Sequence, residues 1–310
     1  MFPSMRQLAV AALVLVIVVY VGAAIVLKAS ERSLIYVPGD REVPDPPASL
    51  ALRQRSVEFL TADSVRLHAW IIPAAPAVPA APADSIGWWL LINHGNYGNI
   101  GYGERPEFYA YARDIGVNLF AYDYRGFGRS EGRPDEQGVY LDAEAAYRYL
   151  TDSLRVPPER IVLFGHSLGT GVATELATRV PAAALVLEAP YTSLPDVGQE
   201  AYPWLPVRFL AGERYETIAK IARVTVPKLI FHSPEDDIVP YAHGQRVFEA
   251  AAEPKRFVTV RGGHAGAFRE DRTAYFGAIR ELVDSLRPEV IPSAARDLHT
   301  DPRPLPGDPQ

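Results

Sequence analysis

Cysteine is absent from this 310-residue chain. Its absence excludes disulfides, a thiolate nucleophile and cysteine-held zinc or iron–sulfur centres. It leaves the redox compartment open. Also absent is any block of clustered lysine and arginine. The formal net charge is −6, and a phosphate backbone needs clustered cations to displace its counterions, so no nucleic-acid partner is expected. What remains is ordinary for a globular protein, with 48% hydrophobic and 22% charged residues. The length suits one large domain or two small ones.

Charge is missing altogether from Leu8 to Leu27, an apolar run of 20 residues. As a helix rising about 1.5 Å per residue, it spans roughly 30 Å, the thickness of a bilayer's hydrocarbon core. The run predicts a single-pass anchor within residues 1–30. A cleaved signal peptide, with its cut near Val21-Gly22-Ala23, is the alternative, although the apolar run of such a peptide is usually shorter. Arg6 on one flank and Lys28 and Arg32 on the other nearly balance, so the side of the membrane is not specified. Four prolines between Pro38 and Pro47 make residues 31–54 read as a tether. Pro73 to Asp84 reads as a Pro/Ala surface loop, and residues 288–310 as a disordered tail.

Between these segments the pattern alternates. Arg55–Leu60 and Val65–Ile72 read as a β-hairpin. Short apolar runs then begin at Trp88, Val117, Arg160, Ala183, Pro227 and Arg256, each continuous and followed by a turn, as for strands covered on both faces. Helical patterns separate most of them. The clearest covers Asp135 to Ser153, where Val139, Ala143, Ala146, Tyr147 and Leu150 recur at helical spacing. The expectation is an α/β domain over residues 55–287, built on a mostly parallel sheet of about eight strands with helices on both faces. Sites in such sheets lie beyond the carboxyl ends of the strands.

Beyond the strand from Arg160 lies Gly165-His166-Ser167-Leu168-Gly169, and a helical pattern follows. A strand turning sharply into a helix pushes the corner side chain out of the sheet, and the close approach of the two elements demands small residues two places to either side. Ser167 is thus a candidate nucleophile. The glycines Gly165, Gly169 and Gly171 also match a dinucleotide-binding loop, with Glu188 as a ribose ligand. That loop belongs near the start of its fold, however, and needs a Tyr-x-x-x-Lys pair downstream, which does not occur here.

A serine hydroxyl needs a histidine to take its proton and a carboxylate to orient that histidine. The strand from Pro227 is followed by a loop carrying Glu235, Asp236 and Asp237. Asp236, several residues past the strand end, is the expected acid. The last strand ends in Gly262-Gly263-His264, and His264, on a glycine loop, is the expected base. His166, His68, His232, His243 and His299 fit worse; His232 reads as shaping the acid loop. The loop His94-Gly95-Asn96 sits where a second oxyanion donor is needed, so the backbone N–H groups of Asn96 and Leu168 are the expected oxyanion hole. Asp123 and Arg125 read as turn-fixing residues.

From about residue 190 to 221 the alternation breaks into a proline-rich excursion, read as a short cap. Within it Tyr202, Trp204, Leu205 and Phe209 are candidates for an acyl pocket, with plain packing against the sheet edge as the alternative. Any exposed part of the cap is a candidate for contact with the bilayer.

Several stretches, including HGNYGNIG, YDYRGFGRSEG, GHSLGTGVA, FHSPEDDIVP and the final GGH, together resemble membrane-anchored serine hydrolases of the α/β-hydrolase superfamily, close to serine-aminopeptidase-like and dienelactone-hydrolase-like members. The resemblance covers roughly Arg32 to Leu286. It implies the α/β-hydrolase fold and a catalytic Ser–Asp–His set at Ser167, Asp236 and His264. Ser233 departs from the pattern, which has glycine there. Some members resemble protein depalmitoylases and others esterases. The expected activity is therefore hydrolysis of a carboxylic ester or thioester, of lipid or acyl-protein origin, through an acyl-serine, without metal or cofactor. A serine peptidase of aminopeptidase type, using Glu200, Glu213 or Glu216 to hold a peptide amino group, and a non-catalytic membrane-tethered scaffold remain as alternatives.

Overall fold

The computed structural model describes residues 3–75 and 87–287. Most of the expected Pro/Ala loop and the whole expected tail lie outside the described residues. The described strands are β1 (Arg55–Leu60), β2 (Arg66–Ile72), β3 (Trp88–Asn93), β4 (Val117–Tyr122), β5 (Ile161–His166), β6 (Ala184–Glu188), β7 (Lys228–His232) and β8 (Lys255–Thr259). They form one sheet in the order β1-β2-β4-β3-β5-β6-β7-β8. β2 pairs antiparallel with β1 and with β4, and every other pairing is parallel. The expected hairpin opens the sheet, and the six later apolar runs all become strands.

These runs are continuous because successive side chains alternate between two covered faces. Leu91, Leu163, Leu185 and Ile230 join a core closed by helices Glu136–Arg148 and Leu168–Ala177. Their sequence neighbours Ile92, Val162, Val186 and Leu229 join the opposite core, closed by helices Arg105–Asp114 and Arg272–Ser285. A one-residue slip of a central strand would exchange the two sets, so burial fixes the register. The expected Asp135–Ser153 helix begins with Asp135 as its N-cap, whose carboxylate accepts from the Gly138 N–H at 2.8 Å. It relaxes into a wider π turn at Tyr149–Ser153.

The apolar run is part of a 31-residue helix, Met5–Ile35, none of whose residues is buried. Its length and apolarity suffice to cross a membrane. The helix runs further than the sequence suggests, because no glycine or proline interrupts it between Ala23 and Tyr36. Beyond it the chain does not hang free as a tether. Tyr36 and Val43 are buried in the domain and Val37 makes a bridge with Tyr97, while in the last turns of the helix itself the Glu31 carboxylate accepts from the backbone of Gly212 and Glu213. Apolar and hydrogen-bonding side chains between the prolines give this segment a surface to dock; proline count alone does not reveal that.

Candidate functional site

The carboxyl ends of β3, β5, β6, β7 and β8 converge on Ser167. It has φ 52° and ψ −120°, a conformation that costs a non-glycine residue of order 1–3 kcal/mol. The elbow explains its glycines. A Cβ on Gly165 would collide with the Gly169 backbone, and one on Gly169 with the carbonyl of Asn93. Gly171 faces Tyr191 and Tyr215 just as closely, so the third glycine serves helix packing. The helix Leu168–Ala177 begins at Ser167 and places the positive end of its dipole there.

Ser167, His264 and Asp236 lie in one hydrogen-bonded line. His264 Nδ1 donates to the Asp236 carboxylate at 2.8 Å, which leaves Nε2 to accept from the Ser167 hydroxyl at 2.8 Å. The Asp236 carboxylate also accepts from the N–H groups of Ile238 at 2.9 Å and Val239 at 2.8 Å. Burial works to raise its pKa, but hydrogen bonds from His232, His264 and the backbone outweigh burial and hold the carboxyl well below the usual range. Asp236 is thus ionised and fixed in orientation. Glu235 instead accepts from the Gly262 N–H at 3.0 Å. His232 reaches the Val239 carbonyl at 3.0 Å and lies 3.4 Å from Asp236, so it shapes the acid loop. Ser233, in the place of a glycine, accepts from the Glu235 N–H and leaves the loop closed.

His166, next to the serine, is no rival base. Burial, and then the neighbouring His264, hold its pKa down to about 3. Its Nε2–H donates to the His264 carbonyl at 3.1 Å and braces the loop that carries that histidine. Nothing in the sequence pattern signals this brace, because it joins residues 98 positions apart.

The Asn96 and Leu168 backbone N–H groups have no partner among the described residues. Both residues, with Ser167, line one cavity. The Asn96 loop is clamped by the foot of the long helix. Asn96 Nδ2 donates to the Ile35 carbonyl at 2.8 Å, and the Asn96 carbonyl accepts from the Val37 N–H at 2.9 Å. Arg105 holds the other side of the loop through the carbonyls of Tyr97 and Asn99. Asp123 accepts from the Ile100 N–H at 2.8 Å, while Arg125 pairs with Asp63 and Asp142.

Two cavities meet at Ser167. The first, about 250 Å³, is mainly apolar and runs between the cap and the end of the long helix. Of the four expected pocket residues, Tyr202 lines it. The others do not: Leu205 is buried elsewhere, while Trp204 and Phe209 are 59% and 92% exposed. The helical turn Val207–Leu210 sets the place of Phe209, since residues three apart share a face. Val207 and Leu210 turn inward, and Phe209 is left outside. Leu194, Val197 and Gly198 line the cavity for the same reason, and Leu27, Leu34 and Ile35 supply the wall from the long helix. The second cavity, about 270 Å³, lies on the His264 side and is lined by Tyr109, His166 and Glu188 among others. Among the described residues no group of three or more His, Asp or Glu side chains is arranged to hold a metal ion.

Residues 89–220 match the model of the alpha/beta hydrolase fold. An uncharacterized protein of Mycobacterium tuberculosis, Rv2307c, is 39% identical over 263 residues, which cover 84% of this chain and 90% of that one. The chain has the alpha/beta hydrolase fold. Human alpha/beta hydrolase domain-containing protein 17B is 36% identical to this hydrolase-fold chain over 177 residues, 56% of this chain and 59% of the human one. Among solved structures the Pyrococcus furiosus esterase Pf2001 superposes with a TM-score of 0.66 at 18% identity, covering 80% of this chain and 98% of the esterase. That likeness is one of fold.

Proposed function

We propose that this hydrolase-fold protein is a membrane-anchored serine hydrolase that cleaves carboxylic esters or thioesters of long acyl chains. The observation that carries the reading is the Asp236–His264–Ser167 line, with its two bonds of 2.8 Å, beside two unengaged backbone N–H groups. Ser167 attacks the carbonyl carbon as its proton passes to His264 Nε2. Asp236 holds the imidazole in the required tautomer and stabilises its cation. The N–H groups of Asn96 and Leu168 bind the developing oxyanion, and each such donor is typically worth about 10²–10³ in rate. His264 then protonates the leaving oxygen or sulfur, the acyl-serine forms, and water releases the acid by the same relay.

The apolar cavity favours an acyl chain over a peptide side chain, and its wall from the long helix favours one that arrives from a bilayer. The exposed Trp204 and Phe209, on the cap beside that helix, suit the membrane interface. A peptidase of aminopeptidase type has less support. Glu213 is engaged by Arg32 and Tyr36, Glu216 by Arg214, and Glu200 lies 3.3 Å from His243. Of these three only Glu213 lines a cavity at Ser167, and its carboxylate is already taken.

The test is labelling of the full-length protein, in detergent, with a fluorophosphonate. Labelling at Ser167, abolished in Ser167→Ala, together with turnover of a nitrophenyl ester is the expected result. A folded protein that neither reacts nor turns over ester would leave the scaffold reading in its place. Extraction of membranes with alkaline carbonate tests the anchor: an uncleaved chain stays in the pellet, and a cleaved leader releases it.

A further inference from the structure

The two cavities at Ser167 are not equivalent, and His264 decides which part of an ester each receives. A base that has taken the serine proton must return it to the leaving oxygen. The leaving group therefore departs on the side that His264 lines. His264 lines the second cavity only, whereas the apolar first cavity is walled by Leu168, the cap and the end of the long helix. The acyl chain belongs in the first, the leaving group in the second.

The second cavity contains polar groups that the mechanism above does not use. Glu188, at the end of β6, and Tyr109 are both fully buried and both line it. Glu188 Oε2 accepts from the Tyr275 hydroxyl at 2.9 Å, but Glu188 Oε1 has no partner among the described residues. The Tyr109 hydroxyl has none either. A buried polar atom without a partner is costly, so two beside the reacting serine mark a place where a ligand supplies the missing bonds. Phe108, Phe164 and Phe268 line the cavity too, together with Glu104 and Arg105, whose guanidinium is already bonded to the Tyr97 and Asn99 carbonyls.

We infer that this cavity receives the leaving group, that Glu188 and Tyr109 recognise a free hydroxyl on it, and that the substrate is a partial ester of a polyol. A hydroxyl fits where other groups do not, since it donates to a carboxylate, accepts from a carboxylic acid and accepts from a phenol. The inference rests on the serine-hydrolase reading. In the step concerned Ser167 Oγ bonds to the carbonyl carbon, the bond from that carbon to the polyol oxygen breaks, and the proton from Ser167 passes through His264 to that oxygen. A neutral polyol leaves and the acyl group stays on the serine. Water restores the enzyme and releases the fatty acid.

The experiment compares three decanoate esters on the full-length protein in detergent micelles: the glycerol monoester, the propyl ester and the dimethylaminoethyl ester. The expected result is a kcat/KM for the glycerol ester at least about ten-fold above that for the propyl ester, as one or two hydrogen bonds allow. Tyr109→Phe and Glu188→Leu should each bring that ratio toward one, while Glu188→Gln, which keeps a donor and an acceptor, should retain it. The ratio is independent of how much protein is folded. A ratio near one in the native chain, or one untouched by both variants, overturns the inference. So does a preference for the cationic ester, which would make the cavity an ammonium site. If no ester is cleaved and the fluorophosphonate does not label Ser167, the serine-hydrolase reading itself falls; labelling with an indifferent leaving group removes the polyol inference alone.

Discussion

The Tyr36 hydroxyl donates to the Glu213 carboxylate at 2.8 Å and so ties the foot of the N-terminal helix to the cap. The same carboxylate accepts from Arg32 Nε at 2.9 Å and from the Glu136 N–H at 2.6 Å. Its side chain is only 6% exposed and the Tyr36 donor is buried with it, so Tyr36 has little water to replace the carboxylate, whereas Arg32, 63% exposed, stays solvated. Glu213→Ala should destabilise the protein by about 1–3 kcal/mol through the donors it strands. Because the joint also sets one wall of the apolar cavity, kcat/KM should fall further for a decanoyl ester than for an acetyl ester. Urea denaturation in detergent and the two rates check both halves, and an equal loss on the two esters would separate the joint from the cavity.

Asp236→Asn should lower kcat by about 10³–10⁴ and leave the fold intact, because the amide no longer enforces the tautomer in which His264 Nε2 accepts. Asp237→Asn should stay within a few-fold of the native rate, since no bond from Asp237 to His264 exists among the described residues. Steady-state hydrolysis of a nitrophenyl ester separates the two. A larger loss for Asp237→Asn would move the acid one residue along.

Val197→Trp should shorten the preferred acyl chain by filling the cavity of about 250 Å³. Phe209→Ala should leave the preference unchanged, because that ring is 92% exposed. The readout is the profile of kcat/KM against acyl length. A shift with Phe209 and none with Val197 would place the acyl site outside the cavity.

Burial pushes the Glu188 carboxyl up to about 8; the Tyr275 hydrogen bond works against this, and the charges of Asp236 and Glu104 add to it. His166 and His264 line the same cavity. In the unfolded chain a glutamate titrates at about 4.3. Between those two values the folded protein holds a proton that the unfolded chain has released. Its stability is therefore greatest below the lower value and declines as pH rises toward the higher one, by at most about 1.4 kcal/mol per pH unit. Glu188→Gln has no such proton. Its stability relative to the native chain should rise steadily between about pH 5 and pH 8 in urea denaturation series. A difference that does not vary with pH would mean that Glu188 is ionised throughout.

What the sequence determined by itself was local or periodic. The eight strands were legible because burial on two faces writes continuous apolar runs between turns. The elbow was legible because Gly165 and Gly169 are forced by backbone approach within a few residues of Ser167. Asp236 and His264 could be chosen because each follows a strand whose carboxyl end faces the same edge. Tertiary structure decided what depends on contacts between distant segments. Tyr36, Arg32 and Glu31 reach the cap some 180 positions away, which turned an apparent tether into a strut and gave the apolar cavity a wall. The rotation of a single helical turn sent Phe209 outward and Val207 inward. Glu188, which the sequence alone offered only as a nucleotide ligand, stands with Tyr109 in the cavity on the far side of the serine. Hydrophobicity and spacing carry no information about such meetings, because they arise only once the sheet has closed and the helices have chosen their faces.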